Sequence, residues 1–180
     1  MKKHIPIILT LTVLTALLLL SGCGKAAPPD DPASLADENG FCVQDGILYA
    51  YVGDAEEVTI PEEVTEIYSN AFAGDMDYGV NLKKVTVPGS CHVIDEQAFA
   101  FTNADVIVLE EGVLSVGEMA FMDSYIDEIW FPESLTEIGS GIMETEEGLN
   151  GTKIHVVKGS LAEAYFTENP PYGSAEIISE

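Results

Sequence analysis

Four stretches of this chain align on one another without a gap, and that self-similarity limits its fold more than any other feature. They are VTIPEEVTEIYSNAF from Val58, VTVPGSCHVIDEQAF from Val85, IVLEEGVLSVGEMAF from Ile107 and IWFPESLTEIGSGIM from Ile129. The starts step by 27, 22 and 22 residues, and a degenerate fifth copy, IHVVKGS, begins at Ile154 after a step of 25. A unit of that length cannot bury its own apolar side, so the copies must stack into a solenoid.

The apolar positions of the copies form columns. One runs Ile60, Val87, Leu109, Phe131; the next Val64, Cys91, Val113, Leu135; a third Ile67, Ile94, Val116, Ile138. Ala71, Ala98, Ala120 and Ile142 stand beside Phe72, Phe99, Phe121 and Met143, so a small residue and a large one recur side by side. Each copy opens with period-2 alternation, first and third residues inward and second outward, then Pro, Glu or Gly and a return segment. The expected fold is a mainly β repeat solenoid: a short parallel sheet, irregular or short helical returns, a hairpin-like N-terminal cap and a short C-terminal helix.

The domain plan follows. Residues 41–57 form the N-terminal cap, 58–153 the four repeats, and 154–180 the degenerate repeat with the C-terminal cap. In FCVQDGILYAY, Asp45-Gly46 sits between two alternating apolar stretches, a hairpin signal. Ser160 and Glu163, three apart before Ala164, Tyr165 and Phe166, read as a capping box, and Pro170-Pro171 stops that helix. The terminal AEIIS adds one more strand, and GDMDYG around position 76 lengthens the first connection.

Residues 1–22 stand apart from the fold. MKKHIPIILTLTVLTALLLLSGC has two lysines, an apolar run and small residues around a cysteine, which is a secretion signal. Leu20-Ser21-Gly22-Cys23 resembles the bacterial lipobox, which implies cleavage before Cys23 and a diacylglycerol on its thiol. A plain membrane anchor or an ordinary cleaved signal is the other reading, although the run is shorter than the ~20 residues a span needs. Residues 23–40 are then the lipidated cysteine and a flexible linker, GKAAPPDDPASLADENG, rich in Pro, Ala and Asp. The expected address is secreted and extracytoplasmic, at the cell surface, with the membrane as a partner through Cys23.

Charge excludes one class of partner. The 180 residues hold seven lysines and no arginine against 31 acids, a net charge of −24, and loss of residues 1–22 takes two lysines away to leave −26. Such a chain has no broad basic surface for a phosphate backbone, so nucleic acid is not a partner. A 47% hydrophobic share is too apolar for a disordered acidic chain.

The quoted repeats resemble the BspA-like class of bacterial leucine-rich repeats, whose units run strand, Pro, a Val-x-x-Ile segment, then Ala-Phe. FCVQDGILYAYVGDAEEVTIP and KGSLAEAYFTENP are similar to that family's usual beginning and end, so the likeness covers roughly residues 41–170. It implies a short solenoid, common in secreted or surface proteins and linked in some members to adhesion, and it does not imply an enzyme. The chain departs from the pattern at Glu110, which replaces the proline, at Ile142-Met143, which replaces Ala-Phe, and in lacking the cysteine after the phenylalanine.

With this register the outward residues form two columns: Thr59, Thr86, Val108, Trp130, His155, and Glu57, Lys84, Val106, Glu128, Lys153. Strands lie ~4.8 Å apart, so Val106, Val108 and Trp130 make an apolar patch beside Thr86, edged by Lys84, Glu128, Lys153 and His155. An exposed ring framed by charges suits recognition. Alternatively Trp130 packs on Val108 or under the C-terminal cap.

Other chemistries find little footing. His92 and His155 fall in different columns, no hydrolase, zinc or phosphate-loop motif occurs, and no cofactor is implied. Cys42 and Cys91 read as buried free thiols rather than a disulfide. Asp75 and Asp77 alternate as in calcium loops but lack the later acidic ligand, and Glu144, Glu146 and Glu147 read as a hydrated turn. Glu62-Glu63 and Glu110-Glu111 sit at turns where hydration accounts for them. The expected function is a non-enzymatic surface module that binds an extracellular protein or glycan. The alternatives are a structural envelope lipoprotein that docks on a partner, or an enzyme with no nominated site.

Overall fold

A computed structural model describes residues 28–73 and 81–180. The signal and lipobox at 1–23 and the Asp75/Asp77 loop lie outside the described residues. Elements are numbered in chain order: β1 Phe41–Gln44, β2 Ile47–Tyr51, β3 Glu57–Thr59, β4 Glu66–Ile67, β5 Asn81–Val87, β6 Val93–Ile94, β7 Asn103–Leu109, β8 Ser115–Val116, β9 Tyr125–Trp130, β10 Glu137–Ile138, β11 Leu149–Val156, α1 Leu161–Glu168 and β12 Gly173–Ser179.

The opening stretches of the copies form a long sheet in the order β3, β5, β7, β9, β11, β12, every neighbour pair parallel. The terminal strand β12 is the extra strand expected of AEIIS. The expected solenoid is therefore present, with a finding in the returns. They are not irregular: residues 66–67, 93–94, 115–116 and 137–138 form a second parallel sheet that starts from the hairpin, in the order β1, β2, β4, β6, β8, β10. Once the long sheet sets neighbouring turns ~4.8 Å apart, equivalent extended pieces elsewhere in the turn come within hydrogen-bonding distance too. Two residues suffice to pair but are too few to show as alternation.

The hairpin opens as its turn residues require. Asp45 (φ 52°) and Gly46 (φ 79°) both take the left-handed conformation of a two-residue turn, and β1 pairs antiparallel with β2. The same conformation recurs once per turn just before the Ala-Phe pair, at Asn70 (φ 62°), Gln97 (φ 55°), Met119 (φ 54°) and Gly141 (φ 60°). Four different residue types adopt it, so tertiary contacts impose it there.

The core lies between the sheets. Every expected column is buried, with Ile138 half-buried at the last turn. The rings of Tyr51, Phe72, Phe99 and Phe121 form a near-parallel pile, with centroids 5.3, 4.7 and 5.4 Å apart along it. Met143 takes the next place, and Phe131 and Phe166 close the C-terminal end with centroids 5.3 Å apart. Two buried hydroxyls follow the same 22-residue step. Thr102 Oγ1 donates to the Phe72 carbonyl (2.8 Å) and Ser124 Oγ to the Phe99 carbonyl (2.6 Å), so each ties one turn to the turn before. Cys42 and Cys91 are buried free thiols, and burial pushes the Cys91 thiol up to about 12.

The capping box at α1 takes a shifted form. Ser160 Oγ accepts from the Glu163 N–H (3.2 Å), while the Glu163 carboxylate accepts from the Gly159 N–H (2.7 Å) and the Ser179 hydroxyl (2.5 Å). The Ser179 and Gly159 donors hold the Glu163 carboxyl below the usual carboxylate range. Through them the helix N-terminus is tied to β12. Replacing Ser160 with alanine is expected to cost about 1 kcal/mol, read from urea unfolding, because the N–H of Glu163 then loses its partner.

Candidate recognition surface

The outer face of the long sheet follows from alternation and register alone. Val58, Val85, Ile107, Ile129 and Ile154 point into the core, so their neighbours point out. The pairing places Thr59 beside Thr86, Thr86 beside Val108, Val108 beside Trp130 and Trp130 beside His155. The parallel column runs Glu57, Lys84, Val106, Glu128, Lys153. All eight residues expected to surround the patch thus share one face.

Their environments differ. Trp130 is 37% exposed, whereas Val106, Val108 and Thr86 are half-buried and Lys84 is exposed. The indole stacks on the imidazole of His155 with centroids 3.6 Å apart and planes 5° from parallel. One indole face is therefore occupied by His155. On the other side the column continues with Val108, Thr86 and Thr59, all much shorter side chains, so Trp130 stands as a step above a low shelf.

His155 departs from the expected rim position. It is 8% exposed because Trp130 covers one side and β12, absent from the expected columns, adds Ile178 on the other and Glu176 beside Lys153. Neither of its ring nitrogens has a hydrogen-bond partner among the described residues. Glu128 Oε2 approaches Nε2 to 3.9 Å, beyond hydrogen-bonding length. The other oxygen of Glu128 accepts from Lys153 Nζ at 2.5 Å, which holds the carboxyl below its usual range and the ammonium above its own. Lys83 pairs with Glu56 in the same way at the other end of the sheet.

Charged turn residues give a second departure. Glu111 is not simply hydrated: its two oxygens accept from the Glu133 N–H (2.8 Å) and the Ser134 N–H (3.1 Å) of the next turn. Ser134 Oγ in turn donates to the Val113 carbonyl and accepts from the Gly112 N–H. A carboxylate at a turn followed 23 residues later by serine was the available signal. His92 is exposed and precedes β6 of the short sheet, so it shares no surface with His155. No cluster of three or more potential metal ligands occurs among the described residues.

Two parallel sheets wound from one repeated unit, with an outward row of unlike side chains on the longer sheet, define a repeat scaffold of the leucine-rich type. A family model for the BspA type leucine-rich repeat region matches residues 48–169 in six copies, and the chain belongs to that family. The match begins at Leu48, within the hairpin strand β2, and ends at Asn169, just after α1, so it reaches beyond the four copies and degenerate fifth visible by alignment at both ends. No curated protein and no solved structure matches the chain. Repeats of this family form protein-binding or adhesion modules, and their fold is typically a binding scaffold rather than a catalytic frame.

Proposed function

We propose that the chain is a cell-surface lipoprotein, tethered through Cys23, whose long-sheet face binds an extracellular protein or glycan. The observation that carries this reading is Trp130: a large ring, stiffened by stacking on buried His155, left exposed above a shelf of short side chains. A ring held in one orientation offers contact area at little entropic cost, and charged neighbours set the direction of approach.

Because Trp130 is the sole tryptophan, its fluorescence reports on this face alone. Acrylamide is expected to quench it readily, and ligands found by screening extracellular proteins and glycans should change its emission. Trp130→Ala should abolish capture of such ligands by the full chain while its circular dichroism and melting temperature stay close to wild type. An unchanged binding profile would remove this face from consideration and pass the reading to an envelope lipoprotein that docks by another surface.

A further inference from the structure

The N-terminal edge of the long sheet is open. Among the described residues, β3 pairs with β5 on one side only and has no strand on the other. Along β3 the Glu56 carbonyl accepts from the Lys84 N–H and the Ile60 N–H donates to the Thr86 carbonyl. Alternation then turns the N–H and C=O groups of Glu57 and Thr59 away from β5. They face a groove of 840 Å³ walled by residues 36–41 and 51–55, on the opposite side from the sheet edge.

The groove has a definite chemistry. Val52, 52% exposed, lies on its wall, and Asp37, Glu38, Asp54 and Glu57 are exposed around it. None of the four carboxylates forms an ion pair among the described residues, and no lysine or histidine lines the groove. Asp37 is held below the usual carboxylate range chiefly by the Phe41 N–H it accepts, so it stays charged.

We infer that this edge accepts an extended basic peptide of a partner protein as an added strand beside β3, distinct from the ligand of the Trp130 face. The backbone of Glu57 and Thr59 would supply the ladder, Val52 an apolar contact for alternate side chains, and the carboxylates the charge partners. An edge strand left with unpaired polar groups is a template for pairing. A second copy of this chain does not suit the edge, because its own free strand β12 carries Glu176 as its sole charge and would bring carboxylate to carboxylate.

The probe is a fluorescein-labelled octapeptide alternating lysine and valine, titrated against the full chain by anisotropy, with an alternating lysine and glycine octapeptide as the equal-charge control. The lysine-valine peptide is expected to bind, more weakly as salt rises, and the control at least about tenfold less well. Thr59→Pro removes an outward N–H that no ladder bond uses, and should weaken binding by about tenfold or more with the melting curve retained. Equal binding of both peptides, or equal binding by wild type and folded Thr59→Pro, overturns the inference. Should Thr59→Pro not fold, the double change Asp54→Lys and Glu57→Lys decides, and unchanged affinity overturns it. Trp130→Ala should leave the peptide bound as before, so failure here is separate from failure on the sheet face; loss of the peptide in that variant places it elsewhere and overturns the inference.

Discussion

Phe99→Ala is expected to lower the stability of the domain by about 3–5 kcal/mol. The ring is fully buried and lies in the middle of the aromatic pile, 4.7 Å from Phe72 and 5.4 Å from Phe121. Truncation removes its burial and leaves a cavity between two flanking turns that long-sheet and short-sheet ladders hold at fixed spacing. Those ladders prevent the turns from closing on the gap, so the cost falls at the high end for a core truncation. In a repeat array the loss also weakens two interfaces at once. Urea unfolding followed by far-ultraviolet circular dichroism measures it, with Phe99→Leu expected to recover part of the loss. A cost below about 1 kcal/mol would mean that the pile relaxes, contrary to the packing described.

The second large effect is expected at Gly112, where alanine should cost about 3 kcal/mol or more. Two causes coincide there. The backbone has φ 115°, a conformation that L side chains rarely adopt, and an added Cβ would lie 2.3 Å from the Gly89 carbonyl oxygen of the turn below. Neither obstacle is a movable side chain. Gly151→Ala separates the causes, since Gly151 has φ 81° but open space around it. That variant should show conformational strain alone, about 1–2 kcal/mol. Melting temperatures of the two variants test the difference, and equal shifts would remove the close approach as a cause.

The long sheet was legible in the sequence because a 22-residue step repeats the same columns. Four independent copies fix one register, and the outward row Thr59 to His155 follows with no knowledge of distances. What escaped has physical reasons. The short sheet is built of two-residue strands whose pairing is dictated by neighbouring turns rather than by local pattern. The burial of His155 depends on β12, whose one-strand extension carries no repeat motif of its own. Glu111 reads as any exposed acid until the Glu133 and Ser134 amides of the next turn are placed opposite it. The open edge at β3 is a property of where the sheet starts, and an edge has no signature in side chains.

The aromatic pile, the hydroxyl ties and the strand ladders between turns all join residues one turn apart, between 19 and 30 residues along the chain. No contact of this kind must wait for the C-terminal end to appear. The search each turn makes is short, so closing it costs little chain entropy, and the preceding turn serves as its template. The hairpin, with two strands that pair on a two-residue turn, can form before anything follows it. Assembly can therefore proceed in the order in which the chain is delivered, each turn docking as it becomes available, with the turns already in place acting as the seed for the next.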